Sequence, residues 1–157
     1  MTIKVDISFT LNGQKKDLSV PADMSVLNML RDELGMTGTK YACGEGECGS
    51  CTVIIDDKSA NSCLMYAVDC DGRDVRTIEG LRSADGLDPM QKAFVDHGAI
   101  QCGYCMPGMI MQAKHLTESN SDLTFDDMKR GLEGNVCRCT GYKKVFDAVA
   151  EVAGIDK

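Results

Sequence analysis

Eight of the nine cysteines fall into two quartets, and a chain that must gather four thiols twice has little freedom in how it folds. The first quartet reads Cys43-x4-Cys48-x2-Cys51, with Cys63 twelve positions later; the second reads Cys102-x2-Cys105 and, after a long gap, Cys137-x-Cys139. In an exported chain this density would suggest a disulfide scaffold. The opening run Met1-Thr-Ile-Lys-Val-Asp-Ile alternates polar and apolar residues and lacks the continuous apolar stretch of a signal peptide. A cytoplasmic setting is therefore expected, where thiols stay reduced. An odd count also rules out complete pairing, so the cysteines read as metal ligands.

The spacing separates the candidate metals unequally. A [2Fe–2S] cluster takes four thiolates, two per iron, and x4/x2 with a distant fourth is the plant-type ferredoxin spacing. Structural zinc sites usually join two CxxC knuckles, which the first quartet does not contain. Cys43, Cys48, Cys51 and Cys63 are thus expected to hold a [2Fe–2S] cluster. Gly44, Gly46 and Gly49 between them permit positive φ and let backbone N–H groups approach it. In the second quartet, Cys102 and Cys105 precede a helix opening at Pro107, and Cys137 and Cys139 precede the final helix. Thiolates at helix N-termini are stabilised by the macrodipole and by free N–H groups. By spacing alone this second cage fits zinc or iron–sulfur.

Periodicity predicts an α+β chain of two small domains. Ile3, Val5, Ile7 and Phe9 alternate as a strand, Asn12-Gly13 is a hairpin signal, and a second strand runs to about Val20. Asp23 or Ser25 caps a helix carrying Val26, Leu27, Met29, Leu30 and Leu34, ended by Gly35. Residues 38–51 read as loop, 52–55 as a short strand, 64–68 as an apolar segment and 75–78 as the last strand. The second half changes character: helices are expected from Pro89 to about His97, Pro107 to about Leu116, Thr124 onward, and Lys143 to about Val152. The expected domains are 1–78 and 87–157, joined by a polar linker at 79–86.

Charge and hydropathy exclude several functions. A net charge of −7 repels phosphate backbones, so no nucleic-acid partner is expected. No stretch approaches the roughly 18 apolar residues of a membrane span. Cys70 has no quartet to join. His97 and His115 sit near helix ends outside any Cys/His ligand spacing. Met106, Met109 and Met111 suit a core or a soft contact surface. Arg138, between two candidate ligands, lowers the negative charge there or is simply solvated. The glycine-rich loop lacks the Lys-Ser/Thr of a phosphate cradle.

The longer motifs are more specific. Leu34-Gly-Met-Thr-Gly-Thr-Lys-Tyr-Ala-Cys-Gly-Glu-Gly-Glu-Cys-Gly-Ser-Cys51 resembles the first-cluster signature of the xanthine oxidase family of molybdenum hydroxylases. Gln101-Cys-Gly-Tyr-Cys-Met-Pro-Gly108 and Gly134-Asn-Val-Cys-Arg-Cys-Thr-Gly-Tyr142 resemble its second-cluster signatures, in the same order, so that the likeness covers nearly the whole chain. The resemblance implies an N-terminal β-grasp, ferredoxin-like domain and a C-terminal four-helix bundle, each with one [2Fe–2S] cluster. It implies a large subunit bearing molybdopterin, in a dinucleotide form, beside the second cluster, and a medium subunit bearing FAD toward the first. Gln101 and Cys139 are implied to approach the pterin. One departure is Ala42 where glycine is frequent before the first cysteine; its methyl restricts φ locally. Glu47 places a negative charge near the first site, which lowers its potential.

The resemblance therefore implies an electron-transfer subunit of a hydroxylase, with no catalytic residue and no substrate site of its own. The substrate leans toward an N-heterocycle such as nicotinate or a purine. A freestanding ferredoxin-type carrier would need only the first half, and a zinc-stabilised interaction module would need no iron. The purified protein is expected to be reddish-brown, with visible absorption from both clusters; a colourless zinc protein would contradict this reading.

Overall fold

A computed structural model describes residues 3–155. Strand β1 (Lys4–Leu11) turns through Asn12 and Gly13, at φ of 50° and 77°, into β2 (Gln14–Pro21). Both central residues need positive φ in such a turn, which is why Asn-Gly occupies it. Ser25, whose hydroxyl accepts the Asn28 N–H, caps α1 (Val26–Asn28). The chain continues as a wider π-helical turn, Met29–Glu33, before Gly35 leaves at φ 67°. Strands β3 (Thr52–Ile55) and β4 (Lys58–Asn61) form a second hairpin around Asp56 and Asp57, both at positive φ. β5 (Asp74–Arg76) completes a sheet of order β2-β1-β5-β3-β4, in which only β1 and β5 run parallel.

Four helices follow: α2 (Pro89–Asp96), α3 (Met106–Ser119), α4 (Phe125–Gly131) and α5 (Lys143–Ala153). Two carry capping boxes, Asp88 with Gln91 and Thr124 with Asp127, which satisfy N–H groups otherwise left open. α2 packs on α5 and α3, while α4 packs on α3 and α5. Among the described residues no helix is long and apolar enough to cross a membrane.

Each half has its own core. Ile7, Phe9, Leu11, Val53, Ile55 and Val75 line the sheet beneath Val26, Met29 and Leu30. Met90, Phe94, Met109, Met128, Val145 and Val149 fill the helical half. The halves meet where α3 lies against β3 and β4. All four residues of β3 are buried: Val53 and Ile55 enter the sheet core, and Thr52 and Ile54 alternate to the other face. Arg76 adds a polar link, pairing with Asp57 and, at 3.1 Å, with Glu118 of α3.

Three local expectations change. Residues 58–61, not read as a strand from their pattern, form one because their backbone completes the ladder of β3. The apolar run 64–68 leaves Leu64 61% exposed and becomes a 3-10 turn over Ala67–Cys70. The last strand stops at Arg76, and a second 3-10 turn, Ile78–Leu81, enters the expected linker. Met106, Met109 and Met111 are core residues. Phe94→Ala is expected to cost about 3–5 kcal/mol by cavity formation. Its exposed neighbour, Val95→Ala, should stay within about 0.5 kcal/mol; denaturant unfolding of the two variants checks the contrast.

Candidate metal centres

The first cysteine loop is shaped by its backbone. Gly44, Gly46 and Gly49 all hold positive φ, between 66° and 78°. The loop they allow turns its N–H groups inward: that of Glu45 points at the Cys43 sulfur, 3.4 Å away, and that of Gly46 at Cys63. Side chains pin the loop from outside. Arg31 donates to the carbonyls of Thr37 and Thr39, Asn61 to that of Gly46 at 2.7 Å, and the Ser62 hydroxyl to that of Cys51. Cys43 interacts with Cys48, and Cys63 with Cys51, so the four thiols stand as two pairs.

The N–H of Glu45 and the Cys48 thiol hold the Cys43 thiol down at about 7. Burial, then the Cys51 thiol, pushes Cys63 up to about 11. Hydrogen bonds to a sulfur's charged form favour thiolate, while burial opposes it. An N–H directed at a thiolate favours metal ligation in the same way, since ligands bind deprotonated.

The second quartet also stands as two pairs. Cys102 and Cys139 lie 3.6 Å apart and are exposed; Cys105 and Cys137 are buried and interact. Burial, then Cys137, pushes Cys105 up to about 12. Burial opposes ionisation of Cys137 too, but the Thr140 hydroxyl, 3.1 Å away, and the N–H groups of Thr140 and Cys139 outweigh it and lower the pKa. Cys105 immediately precedes α3, which opens at Met106, one residue before the expected Pro107, and its side chain makes no capping bond. Cys137 and Cys139 precede α5 by a short loop that ends at Tyr142, in the left-handed region at φ 64°. The Tyr142 hydroxyl accepts the Cys137 N–H at 2.6 Å and donates to the Asn135 carbonyl, closing that loop on itself.

Paired thiols suit a binuclear group. Two thiolates on one tetrahedral metal with bonds of about 2.3 Å lie roughly 3.7 Å apart, close to the Cys102–Cys139 separation of 3.6 Å. Among the described residues no three His, Cys, Asp or Glu side chains converge on a single ion position. A [2Fe–2S] cluster asks for two thiolates per iron, which each quartet offers. Cys43, Cys48, Cys51 and Cys63 could hold one cluster, and Cys102, Cys105, Cys137 and Cys139 a second.

The two loops touch. Val136 donates its N–H to the Cys48 carbonyl at 2.9 Å. The buried Asn135 amide donates to the Gly49 carbonyl at 2.9 Å and to the Thr52 hydroxyl at 3.2 Å. Tyr104 donates to the carbonyl of Tyr41, a further tie between the halves. Gln101 is exposed beside the exposed Cys102 and Cys139. Arg138 is also exposed, and Cys70, fully buried in the sheet core, has its thiol pushed up to about 11 by burial. His97 pairs with Glu151 at 2.6 Å, fastening the end of α2 to α5. Asn135, Thr140 and Tyr142 are site residues that the cysteine spacing does not single out; only their place around Cys137 and Cys139 marks them.

Residues 9–77 match the 2Fe-2S iron-sulfur cluster binding domain family, and residues 77–150 match the [2Fe-2S] binding domain family. The chain is 40% identical to the nicotine 6-hydroxylase small subunit of Paenarthrobacter nicotinovorans, over 96% of this chain and 91% of that one. It is 43% identical to the aldehyde oxidoreductase of Megalodesulfovibrio gigas, over 93% of this chain but only 16% of that longer one. Its fold is similar to a chain of quinoline 2-oxidoreductase from Pseudomonas putida 86, with a TM-score of 0.91 at 39% identity, over 96% of this chain and 93% of that one. With two [2Fe–2S] domains in this order and nearly full-length agreement with such small subunits, the chain belongs to the xanthine oxidase family of molybdenum hydroxylases, as an electron-transfer subunit.

Proposed function

We propose that this chain relays electrons from a molybdopterin, in a dinucleotide form, on a large subunit to FAD on a medium subunit, while the complex hydroxylates an N-heterocycle such as nicotinate or a purine. In this reading Cys102, Cys105, Cys137 and Cys139 hold the pterin-side cluster, and Cys43, Cys48, Cys51 and Cys63 the flavin-side one. Each [2Fe–2S] cluster, when bound, takes up and gives back one electron at a time. The chain contributes enclosure, hydrogen bonds to sulfur and fixed separation, all of which tune such centres.

The observation that carries this reading is the arrangement of the second quartet across a gradient of burial. Cys102 and Cys139 are exposed next to Gln101, and Cys105 and Cys137 are buried behind them. Next to Cys137, the Val136 N–H reaches the carbonyl of Cys48 in the first loop. One side of the second site is thus open to a partner, and the other adjoins the first site. Gln101 offers both a donor and an acceptor at the open side, which the edge of a pterin requires. Similarity to the small subunit of a nicotine 6-hydroxylase and to a quinoline 2-oxidoreductase supports an N-heterocyclic substrate; the similar aldehyde oxidoreductase is the counterexample.

The reading also assigns residues 1–78 to a β-grasp domain, 79–86 to a linker and 87–157 to a four-helix bundle, and places the complex in the cytoplasm. Gly44 and Gly46 serve the first cluster by admitting backbone N–H groups to it, and Gly49 by the turn between Cys48 and Cys51. The chain holds no substrate and no catalytic acid or base.

Purified with its native partners, the chain is expected to bring a large and a medium subunit and about four irons per copy, two per cluster. A chain that runs alone, or carries zinc, would contradict the proposal. Cys63→Ser and Cys137→Ser are expected each to abolish a different one of two electron paramagnetic resonance signals and to lower the iron content. Loss of the same signal in both variants would show that the quartets do not define separate clusters.

A further inference from the structure

The geometry points to Gly108 and Asn135 as positioning residues that set the separation of the two cysteine sites. The inference rests on the reading that both quartets hold clusters, and concerns what fixes the distance between them.

Gly108 sits in the first turn of α3, three residues after Cys105, and its φ is not in the left-handed region. Nothing in its backbone conformation asks for glycine, which costs a helix interior about 1 kcal/mol relative to alanine. Its surroundings do ask for it. A Cβ there would lie 2.1 Å from the Gly49 carbonyl oxygen and 3.0 Å from the carbonyl carbon and oxygen of Ser50. Those are backbone atoms between Cys48 and Cys51, with no flexible side-chain end to yield. Gly49 meets the same restriction from its own side, since its Cβ would lie 2.4 Å from the Gly134 carbonyl oxygen and 2.5 Å from the Asn135 amide nitrogen.

Asn135 ties the same loop to the other ligand-bearing segment. Its buried amide nitrogen donates toward both the Gly49 carbonyl and the Thr52 hydroxyl, two acceptors only 2.7 Å apart because the Thr52 hydroxyl itself donates to that carbonyl. The next residue, Val136, bonds the Cys48 carbonyl. The Cys48–Cys51 segment is therefore seated against both ligand-bearing segments of the second quartet: against Gly108 beyond Cys105, and against Asn135 before Cys137. Electron passage between two centres falls steeply with separation, so a backbone-to-backbone contact at this point brings the sites as near as the chain permits.

The test uses the intact complex, fully reduced, so that each cluster carries one unpaired spin; their dipolar splitting falls as the cube of the separation. Gly108→Ala is expected to weaken that splitting and slow electron passage between the clusters several-fold, with iron content unchanged. Asn135→Asp keeps the side-chain size but sets a carboxylate against the Gly49 carbonyl, and should weaken the splitting too. Gly134→Ala is the control, because a Cβ there meets nothing within 4 Å. Unchanged splitting in a fully loaded Gly108→Ala complex would overturn the inference, as would equal weakening by Gly134→Ala. Should Gly108→Ala lose iron, Asn135→Asp decides. If neither variant keeps its clusters, the contact retains metal rather than spaces it, and the inference fails. Wild-type protein lacking four irons would overturn the functional reading instead.

Discussion

Where α3 passes the loop between Cys48 and Cys51, two backbones meet with no side chain between them, and the same loop is tied by the Asn135 amide to the segment that carries Cys137 and Cys139. The buried amide nitrogen shares its donation between the Gly49 carbonyl and the Thr52 hydroxyl, and leaving it without an acceptor would cost about 1–3 kcal/mol. The sheet and the helices each have an apolar core, and either could bury its own surface. What the joint structure adds is the seating of one cysteine loop against the two segments that carry the other four cysteines. β3, buried on both faces, and the Arg76–Glu118 pair support that seating from farther out.

Burial gives the second quartet a direction. Cys105 and Cys137 are enclosed by the helical core, and Cys102 and Cys139 reach the surface beside Gln101. The hydrogen bonds follow the same division. Cys137 receives the Thr140 hydroxyl and its own N–H is taken by Tyr142, so the inner pair sits in a fixed polar frame. Such outer-shell contacts orient ligands and tune a metal group. Both quartets also draw on backbone N–H groups, and in the first the loop that supplies them is rich in glycines at positive φ.

Much of this is legible in the sequence, for local reasons. Asn12-Gly13 marks its hairpin, and Thr124 and Asp88 mark helix starts, because turns and caps are short-range chemistry. The eight cysteines are legible by spacing. β4 is not, since Lys58-Ser-Ala-Asn61 has neither alternation nor branching and is a strand only because β3 pairs with it. Leu64 misleads because apolar character alone does not decide burial. Asn135 and Gly108 stand within the cysteine motifs, but their partners lie far along the chain, 86 residues away for the Asn135–Gly49 bond. No local pattern records that contact.

A structure of the intact complex with its prosthetic groups in place would decide the order of the centres, because an electron relay is a statement of order along a line. The pterin is predicted to lie against Gln101 and Cys139, the flavin nearer the loop of Cys43 and Cys48, and the Asn135 contact between the two clusters. A pterin lying beside the Cys43 loop, or a complex with no pterin-bearing subunit at the Gln101 face, would contradict the relay.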